Sequence, residues 1–362
     1  MKRLTLLLVL VTAVCFAGCS RDTSVPAASS EIRVLAWAGY EEPDLLAALQ
    51  KATGLHAVVK TYVGGDQMFT LLTQSKGEYD VVVVDPEYVA KLYAVGRLKP
   101  IAEGAVDTSR YFSYFQAFPT ARIDGRLYAV PIRFGVNALA YNTKHFTADE
   151  VQSYQVLLAD KARGHVGVWD WYLPEMGTLS KAVGTSGNPY DLTTDQFSRL
   201  EGFMHSLRNS VKTISATPAE VMAGLGSDDI WIVPGMGEIA AAALQQQGKP
   251  IDWIVPKEGG IMWVECVVIP NDTRREEAAL KYLKWMASAD AQALLSQRRA
   301  YNSNVPNAAA YSLLSAEQRR ALKVNNEAEG EALISRVTLR SLPASPSEQA
   351  WQTAWQAFKA GS

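Results

Sequence analysis

PKEGGIMWVECVVIP, residues 256–270, combines a Gly-Gly turn signal with the apolar run 266–269, which is typical of a buried strand. Trp263 and Glu265 are two residues apart, so on a strand their side chains lie on one face. A ring beside a carboxylate suits a small organic cation, because the ring face attracts the charge and the carboxylate accepts its hydrogen bonds. The alternative is that Trp263 belongs to the core and Glu265 is a solvated strand end.

Strands and helices alternate upstream of this stretch. The pattern predicts strands at 32–38, 56–62 and 81–84, each followed by a helix, at 45–53, 67–74 and 88–95. This order indicates an α/β fold with a doubly wound sheet. A second α/β body follows, and the strand at 267–269 returns the chain to the first. We therefore expect two lobes, each a mixed sheet covered by helices, joined by crossing strands near 136–141 and 265–270.

The length of 362 residues and the 48% hydrophobic content allow about two domains. The composition and the strand pattern divide the chain into five segments. They are a signal peptide (1–18), a tether (19–30), the first part of lobe 1 (31–137), lobe 2 (138–264), and a return to lobe 1 with C-terminal helices (265–362).

The composition argues against several classes of function. A formal net charge of -2 offers no basic surface for nucleic acid. The four histidines are scattered without ligand spacing, so we expect no metal site and no cofactor. No nucleophile elbow, P-loop or dinucleotide turn occurs, which argues against an enzyme. Cys266 lies in an apolar run and is predicted to be an inert core thiol.

The N-terminus predicts export. Lys2 and Arg3 precede an apolar segment at 4–17 that is too short for a lasting membrane span. The sequence Phe16-Ala17-Gly18-Cys19 resembles a bacterial lipobox, which implies lipidation of Cys19, although Phe16 replaces the usual Leu. The alternative is an ordinary signal peptide cut near residue 17. We expect a protein in the periplasm, lipid-anchored to a bacterial membrane and otherwise in contact with no membrane.

Several motifs together resemble the spermidine/putrescine-type (polyamine) solute-binding proteins of bacterial ABC importers. They are VLAWAGY (34–40), EYDVVV (78–83), GKPID (248–252), PKEGG (256–260), residues 302–307 and FKAG (358–361). The resemblance implies a two-lobe periplasmic binding protein fold of type II, closing on a small amine by hinge bending. It also implies permease subunits of an ABC importer as partners, and a monomer.

The resemblance carries ligand-binding roles onto single positions in the first lobe. Trp37, Tyr40 and Tyr88 match aromatic positions of the family. Asp85 stands where the family usually has Ser, and Glu87 where it often has Tyr. An Asp-Pro pair after a buried strand is also an ordinary helix cap, so Asp85 has a structural alternative.

In the second lobe and the crossing strands, Trp263 matches a stacking Trp, Glu265 replaces an Asp, and Glu175 falls near a carboxylate that receives an inner amine. A further family Trp falls on a glycine, at 235 or 237. Its predicted substitute is Trp169, Trp171 or Tyr172, of which Trp171 is included in the predicted site.

Arg133 stands where the family commonly has Trp, and its fork of donors suits a carboxylate. Either it neutralises Asp85, Glu87 or Glu265, or the ligand is a zwitterion such as 4-aminobutyrate. The predicted function is capture of a putrescine- or spermidine-like amine for import. The alternatives are binding of an omega-amino acid, or presentation of the closed form to a membrane signalling receptor.

Overall fold

The computed structural model describes residues 30–185 and 187–361. The predicted signal peptide, the lipidation site Cys19 and residues 20–29 of the tether lie outside the described residues. The strands are β1 Glu31–Ala36, β2 His56–Thr61, β3 Val81–Val84, β4 Leu98–Lys99, β5 Arg122–Ile123, β6 Arg126–Leu127, β7 Ala129–Asn137, β8 Leu139–Asn142, β9 Val166–Trp169, β10 Val211–Ser215, β11 Ile232–Val233, β12 Ile251–Ile254, β13 Gly260–Pro270 and β14 Val337–Leu339.

The α-helices are α1 Pro43–Thr53, α2 Gly65–Gln74, α3 Pro86–Ala94, α4 Ser113–Gln116, α5 Tyr172–Ala182, α6 Thr194–Leu207, α7 Pro218–Gly226, α8 Glu238–Gln246, α9 Glu276–Met286, α10 Ala289–Leu295, α11 Ala316–Leu322, α12 Glu327–Ile334 and α13 Glu348–Ala360. Short 3-10 helices occupy Tyr154–Leu158, Asp160–Ala162 and Ala308–Leu313. No helix in the described part of the chain combines the length and apolar character needed to cross a membrane.

The first sheet has the strand order β14-β13-β3-β1-β2, with β4 and β7 also pairing with β13. Strands β1, β2 and β3 run parallel, as the alternation of strands and helices predicts. Strand β13 runs antiparallel to β3, with Cys266 opposite Val84. Because of this direction, the residues just before Cys266 lie beside the carboxyl end of β3.

The second sheet has the order β10-β9-β11-β8-β12, and β9 and β11 run parallel within it. The chain passes from the first sheet to the second between Asn137 at the end of β7 and Leu139 at the start of β8. It returns between Ile254 and Gly260. The two sheets are therefore joined by β7 and β13, which also pair with each other as one long antiparallel ribbon.

Strand β7 contains Pro131, whose ring removes a backbone donor and restricts proline to edges and bulges. The ribbon has a register shift between Glu265 and Cys266, where Cys266 faces Pro131 and Glu265 faces Arg133. The intervening Ile132 is the extra residue of a β-bulge. The sequence had indicated a new strand only after Gly135. Because of the bulge, β7 instead continues past Pro131 as a single strand from Ala129 to Asn137.

One region after β13 forms two helices where the sequence predicts a single one. The sequence pattern predicts one helix over residues 313–326, but α11 ends at Leu322 and α12 begins at Glu327. Lys323 between them adopts a left-handed conformation, with φ 57°, which ends the first helix.

The last helix packs against α5 and α6, on the side of the molecule that holds the second sheet. Its side chains Trp351, Trp355 and Phe358 are buried in a core cluster with Tyr190 and Leu200 of that side of the molecule. The chain reaches this position by a third crossing, from β14 in the first sheet to a bridge between Ser345 and Asp191. The sequence had grouped residues 265–362 with the first lobe, and it contained no signal for this crossing. The remaining lobe boundaries stay a prediction.

Candidate functional site

Polar side chains from the first sheet meet at the carboxyl ends of its parallel strands. Strand β1 ends at Ala36, so Trp37 and Tyr40 lie in the loop beyond it. Strand β3 ends at Val84, and Asp85 follows at once. The antiparallel neighbour β13 brings Glu265 to the same edge, because Cys266 pairs with Val84. Ligands in α/β proteins bind in the crevice at this edge.

Glu265 is 2% exposed and saturated with partners, so it is not the solvated strand end considered as an alternative. Its Oε2 accepts a hydrogen bond of 2.5 Å from the Tyr40 hydroxyl, and its Oε1 accepts one from the Tyr301 hydroxyl. Arg133 Nη1 lies 3.8 Å from Glu265 Oε2. Burial, followed by the charge of Glu265, raises the pKa of Tyr40 well above its ordinary value, so this hydroxyl stays a donor.

Arg133 is fully buried, and its guanidinium carbon lies 3.9 Å from the centre of the Tyr301 ring. Its Nε donates to the Ser303 hydroxyl and its Nη2 to the Tyr301 carbonyl. Of the two roles predicted for Arg133, the structure therefore places it beside a site carboxylate, Glu265.

Asp85 and Glu87 face a second arginine that the sequence had not singled out. Arg340 Nε donates to Glu87 Oε1 over 2.8 Å, and Arg340 Nη2 lies 3.1 Å from Asp85 Oδ2. Asp85 occupies the N-cap position of α3 but makes no side-chain cap hydrogen bond there. Burial raises the pKa of Asp85 well above its usual range, and Arg340 partly offsets this effect. The carboxylate thus serves the ion pair and not the helix.

Aromatic rings join the two sheets beside these charges. The rings of Trp37, after β1, and Trp171, after β9, have centroids 6.1 Å apart. Trp37 also packs on Tyr62 at 4.7 Å, and Trp171 meets the edge of Trp169 at 4.9 Å. Arg340 lies over the Trp171 ring, 4.6 Å from its centroid. The predicted residues Trp37 and Trp171 therefore face each other across the cleft between the sheets.

Glu175, in the first turn of α5, is fully buried after the carboxyl end of β9. Its Oε1 accepts a hydrogen bond of 3.1 Å from the Trp169 backbone N–H, and its Oε2 has no hydrogen-bond partner among the described residues. Burial raises the pKa of Glu175 well above its ordinary value. A Cβ on Gly235 would lie 2.7 Å from this carboxylate. The carboxylate, not an aromatic ring, occupies the space beside Gly235.

Glu238 is a second buried carboxylate on the same side, in the first turn of α8. Its Oε1 accepts a hydrogen bond of 2.7 Å from the Val136 N–H, and its Oε2 has no hydrogen-bond partner within residues 30–185 and 187–361. A Cβ on Gly135 would lie 1.9 Å from Glu238 Oε1 and 2.4 Å from the Trp263 ring, so the carboxylate and the indole are neighbours. Burial raises the pKa of Glu238 to about 8.

One predicted residue points elsewhere. The Tyr88 hydroxyl donates to Asp66 Oδ1 over 2.9 Å, and a Cβ on Gly65 would lie only 2.0 Å from its ring, so Tyr88 packs against the start of α2. Cys266 is fully buried in β13, where the sequence places it. In the described part of the chain, no group of three or more His, Cys, Asp or Glu side chains is arranged to hold a metal ion.

The structure adds Tyr301, Arg340 and Glu238 to the site. Tyr301 precedes the stretch 302–307 that carries part of the family resemblance, so its position could have been found from the sequence. Arg340 stands in the crossing after β14, without a motif around it. Glu238 resembles an ordinary acidic residue of a helix first turn, where acids stabilise the helix dipole.

The comparison with protein families identifies the chain. Residues 44–321 match the model of the bacterial extracellular solute-binding proteins. The chain belongs to this family. It is similar to the spermidine/putrescine-binding periplasmic protein of Escherichia coli (strain K12), with 27% identity over 286 residues, which cover 78% of this chain and 79% of that protein.

Solved structures show the same fold. The spermidine/putrescine ABC transporter substrate-binding protein PotD of Streptococcus pneumoniae superposes with a TM-score of 0.76 at 16% identity, covering 91% of this chain and 99% of that chain. A structure described as the Atu4243-GABA receptor superposes with a TM-score of 0.69 at 16% identity, covering 91% and 97%. The predicted two-lobe type II periplasmic binding protein fold is confirmed.

Proposed function

We propose that this solute-binding protein captures a small polyamine, of the putrescine or spermidine type, in the cleft between its two sheets. It would deliver this ligand to the permease subunits of an ABC importer and would perform no chemistry on it. The curated relatives that bind spermidine and putrescine support this ligand class. Closure would occur about the crossing strands β7 and β13, and the ligand would favour the closed state only to the extent that it binds that state better.

The carboxylates of the cleft are the observation that carries this proposal. Among the described residues, the cleft holds five buried carboxylates but only two guanidinium groups. The acids are Asp85, Glu87, Glu175, Glu238 and Glu265, and the bases are Arg133 and Arg340. If all were ionised, the cleft would carry a charge of about -3, which buried groups tolerate only with partners. Polycationic amines supply such partners, with charge-assisted hydrogen bonds.

Aromatic surfaces accompany these acids, as amine recognition requires. The rings of Trp37, Trp171 and Trp263 lie beside the carboxylates. A cation over an aromatic face gains about 0.5–2 kcal/mol, depending on its desolvation. The acids must supply the larger share of the affinity, because a buried ammonium without a partner costs several kcal/mol.

An omega-amino acid such as 4-aminobutyrate is the second candidate ligand. It is favoured by Arg133 Nη1, a buried donor without a hydrogen-bond partner among the described residues, which could bind a carboxylate. The neighbour described as a GABA receptor is consistent with it. The surplus of acidic groups over guanidinium groups favours the polyamine, since a zwitterion would bring a further carboxylate into the cleft.

Titration calorimetry of the purified protein with putrescine, spermidine and 4-aminobutyrate tests the proposal. We expect saturable binding of at least one amine and no heat with 1,4-butanediol, which has the length of putrescine without its charges. Binding of 4-aminobutyrate alone would favour the second candidate. No heat with any of the three would overturn both.

We further propose that the protein works in the periplasm on a lipid anchor at Cys19, as a monomer. The lipobox-like sequence supports the anchor, and the periplasmic relatives support the compartment. Replacing Cys19 with Ala should release the protein from the membrane fraction. Retention of this variant in that fraction would contradict the anchor.

A further inference from the structure

Arg340 has the surroundings that a bound ammonium group needs. Two carboxylates, Asp85 and Glu87, lie 3.1 Å and 2.8 Å from its nitrogens, and the Trp171 ring centroid lies 4.6 Å from its guanidinium carbon. The side chain is 3% exposed. Carboxylates for charge-assisted hydrogen bonds together with an aromatic face are the means by which proteins hold organic cations. The protein thus supplies the cation for these two carboxylates itself.

Arg133 does the same for the third carboxylate of the first sheet. It lies 3.8 Å from Glu265 and 3.9 Å from the centre of the Tyr301 ring. Both carboxylate oxygens of Glu265 also accept tyrosine hydroxyls, from Tyr40 and Tyr301. A ligand ammonium at Glu265 would have to displace these donors and lie beside a buried positive charge.

Glu175 and Glu238 differ from these three acids. Both are fully buried, and neither lies within ion-pair distance of an Arg, Lys or His side chain in the described ranges of the chain. The charge of Arg133 nevertheless reaches Glu238, where it opposes the effect of burial on the pKa. Each binds one backbone N–H through Oε1, and each leaves Oε2 without a partner in the part of the chain that the structure describes. Asp85 and Glu87 also have one buried oxygen without a hydrogen bond, but both groups are paired with Arg340. A buried carboxylate oxygen without a donor is costly, and a bound ammonium removes that cost.

The neighbours of these two acids complete a site for an amine. The Trp263 indole lies next to Glu238, at the position marked by Gly135. Asn137 donates from Nδ2 to the Gly235 carbonyl over 2.6 Å, and its Oδ1 is a further buried acceptor without a described partner. Acceptors and an aromatic face therefore lie together on the side of the second sheet.

We propose that Arg340 and Arg133 are resident cations that occupy the carboxylates of the first sheet, so that the ligand is a short diamine whose ammonium groups bind at Glu175 and Glu238. This inference rests on the proposed function and narrows it. A triamine carries a third ammonium, and the other carboxylates of the cleft, Asp85, Glu87 and Glu265, could receive it only beside Arg340 or Arg133, where like charges repel. Arg340 is therefore a specificity-determining residue that selects diamines over triamines.

Calorimetry with putrescine and spermidine on the full mature chain tests the inference. The wild-type protein should bind putrescine at least tenfold more tightly than spermidine. Glu175→Gln and Glu238→Gln should each weaken putrescine binding at least tenfold, while the matched control Glu276→Gln, at an exposed ion pair with Lys99, should leave it unchanged.

The arginine variants separate selectivity from affinity. Arg340→Gln should shift the ratio of the two dissociation constants at least tenfold toward spermidine, because Asp85 and Glu87 become available to a third ammonium. The control Arg97→Gln removes an arginine from its ion pair with Asp272 and should leave the ratio unchanged. Circular dichroism checks that each variant is folded.

The variants test the role of Arg340 and the site at Glu175 and Glu238 separately. An unchanged ratio in folded Arg340→Gln overturns the role of Arg340, and wild-type affinity in Glu238→Gln overturns the second-sheet site. If Arg340→Gln does not fold, the wild-type preference and the glutamate variants decide, and tighter spermidine binding by the wild type refutes the inference. No binding of either amine by the wild type overturns the proposed function itself.

Discussion

Glu238 is a buried acid whose protonation is tied to the folded state. Burial raises its pKa from 4.5 to about 8. Between these two values the folded state holds a proton that the unfolded state has lost, so stability is highest below about 4.5 and falls as the pH rises toward about 8. This group alone should remove up to about 1.4 kcal/mol per pH unit within that window.

Glu238→Gln should abolish this slope. The difference in the free energy of unfolding between the variant and the wild type, measured by urea denaturation at pH 5 and pH 8, should favour the variant more at pH 8. Glu276→Gln is the control, because its exposed side chain lies outside the cleft. An identical pH dependence in Glu238→Gln and the wild type would contradict the assigned burial of a neutral carboxyl.

Gly135 keeps the space in which Glu238 and Trp263 meet. A Cβ there would lie 1.9 Å from Glu238 Oε1 and 2.4 Å from the Trp263 ring, and both side chains are buried, which leaves them little room to shift. Gly135→Ala should therefore destabilise the protein by about 1–3 kcal/mol, as overpacking does. It should also weaken amine binding, which calorimetry measures.

Gly202→Ala is the matched control, since a Cβ at this position in α6 meets no atom within 4 Å. It should stabilise the protein by about 0.4–1 kcal/mol, because alanine loses less backbone freedom on folding. A destabilisation of equal size in both variants would show that close packing at Gly135 is not the cause.

The C-terminal helix α13 follows the third crossing, residues 340–347, and buries its aromatic side chains in the core beside the second sheet. Trp351 is fully buried in that core and stacks on Tyr190, with centroids 5.5 Å apart. Trp351→Ala should lower the free energy of unfolding by about 3–5 kcal/mol, as other buried Trp truncations do. Gln356→Ala on the exposed face should change it by less than about 0.5 kcal/mol.

Urea denaturation followed by fluorescence and by circular dichroism measures both variants. If Trp351→Ala cost no more than Gln356→Ala, α13 would not be an integral part of the second core. The position of Arg340 depends on the same helix, because the residues between β14 and α13 cross from one sheet to the other. Helix α13, which completes the second core, thus also helps to hold the Arg340 guanidinium in the cleft.

At the scale of the whole molecule, a ligand that contacts both sheets should stabilise the whole chain. Putrescine at 100 times its dissociation constant should raise the free energy of unfolding by about 2.7 kcal/mol, since it binds the folded state alone. Urea denaturation with and without putrescine measures the effect. An equal concentration of 1,4-butanediol should have none, and a similar gain with this neutral compound would point to a solvent effect.

Local signals in the sequence predict most of the first sheet, and its motifs predict the family. The helices and strands of residues 31–94 follow from apolar periodicity and from Gly and Pro at the boundaries, because these signals are local. Trp37, Tyr40, Asp85 and Glu265 were predicted to lie together for a physical reason that the sequence contains. They follow or precede buried strands, and such strands end at one edge of a sheet.

Which of these acids has a partner follows only from the packing of segments that are distant in the chain. Arg340 lies 253 positions from Glu87 in the chain, and Glu238 lies 102 positions from Val136, whose backbone N–H donates a hydrogen bond to it. Such pairings depend on the third crossing and on the close approach at Gly135, neither of which leaves a local pattern. The residue types of the sequence indicate an amine site, but only the packing shows that arginines of the protein already pair with three of its five carboxylates.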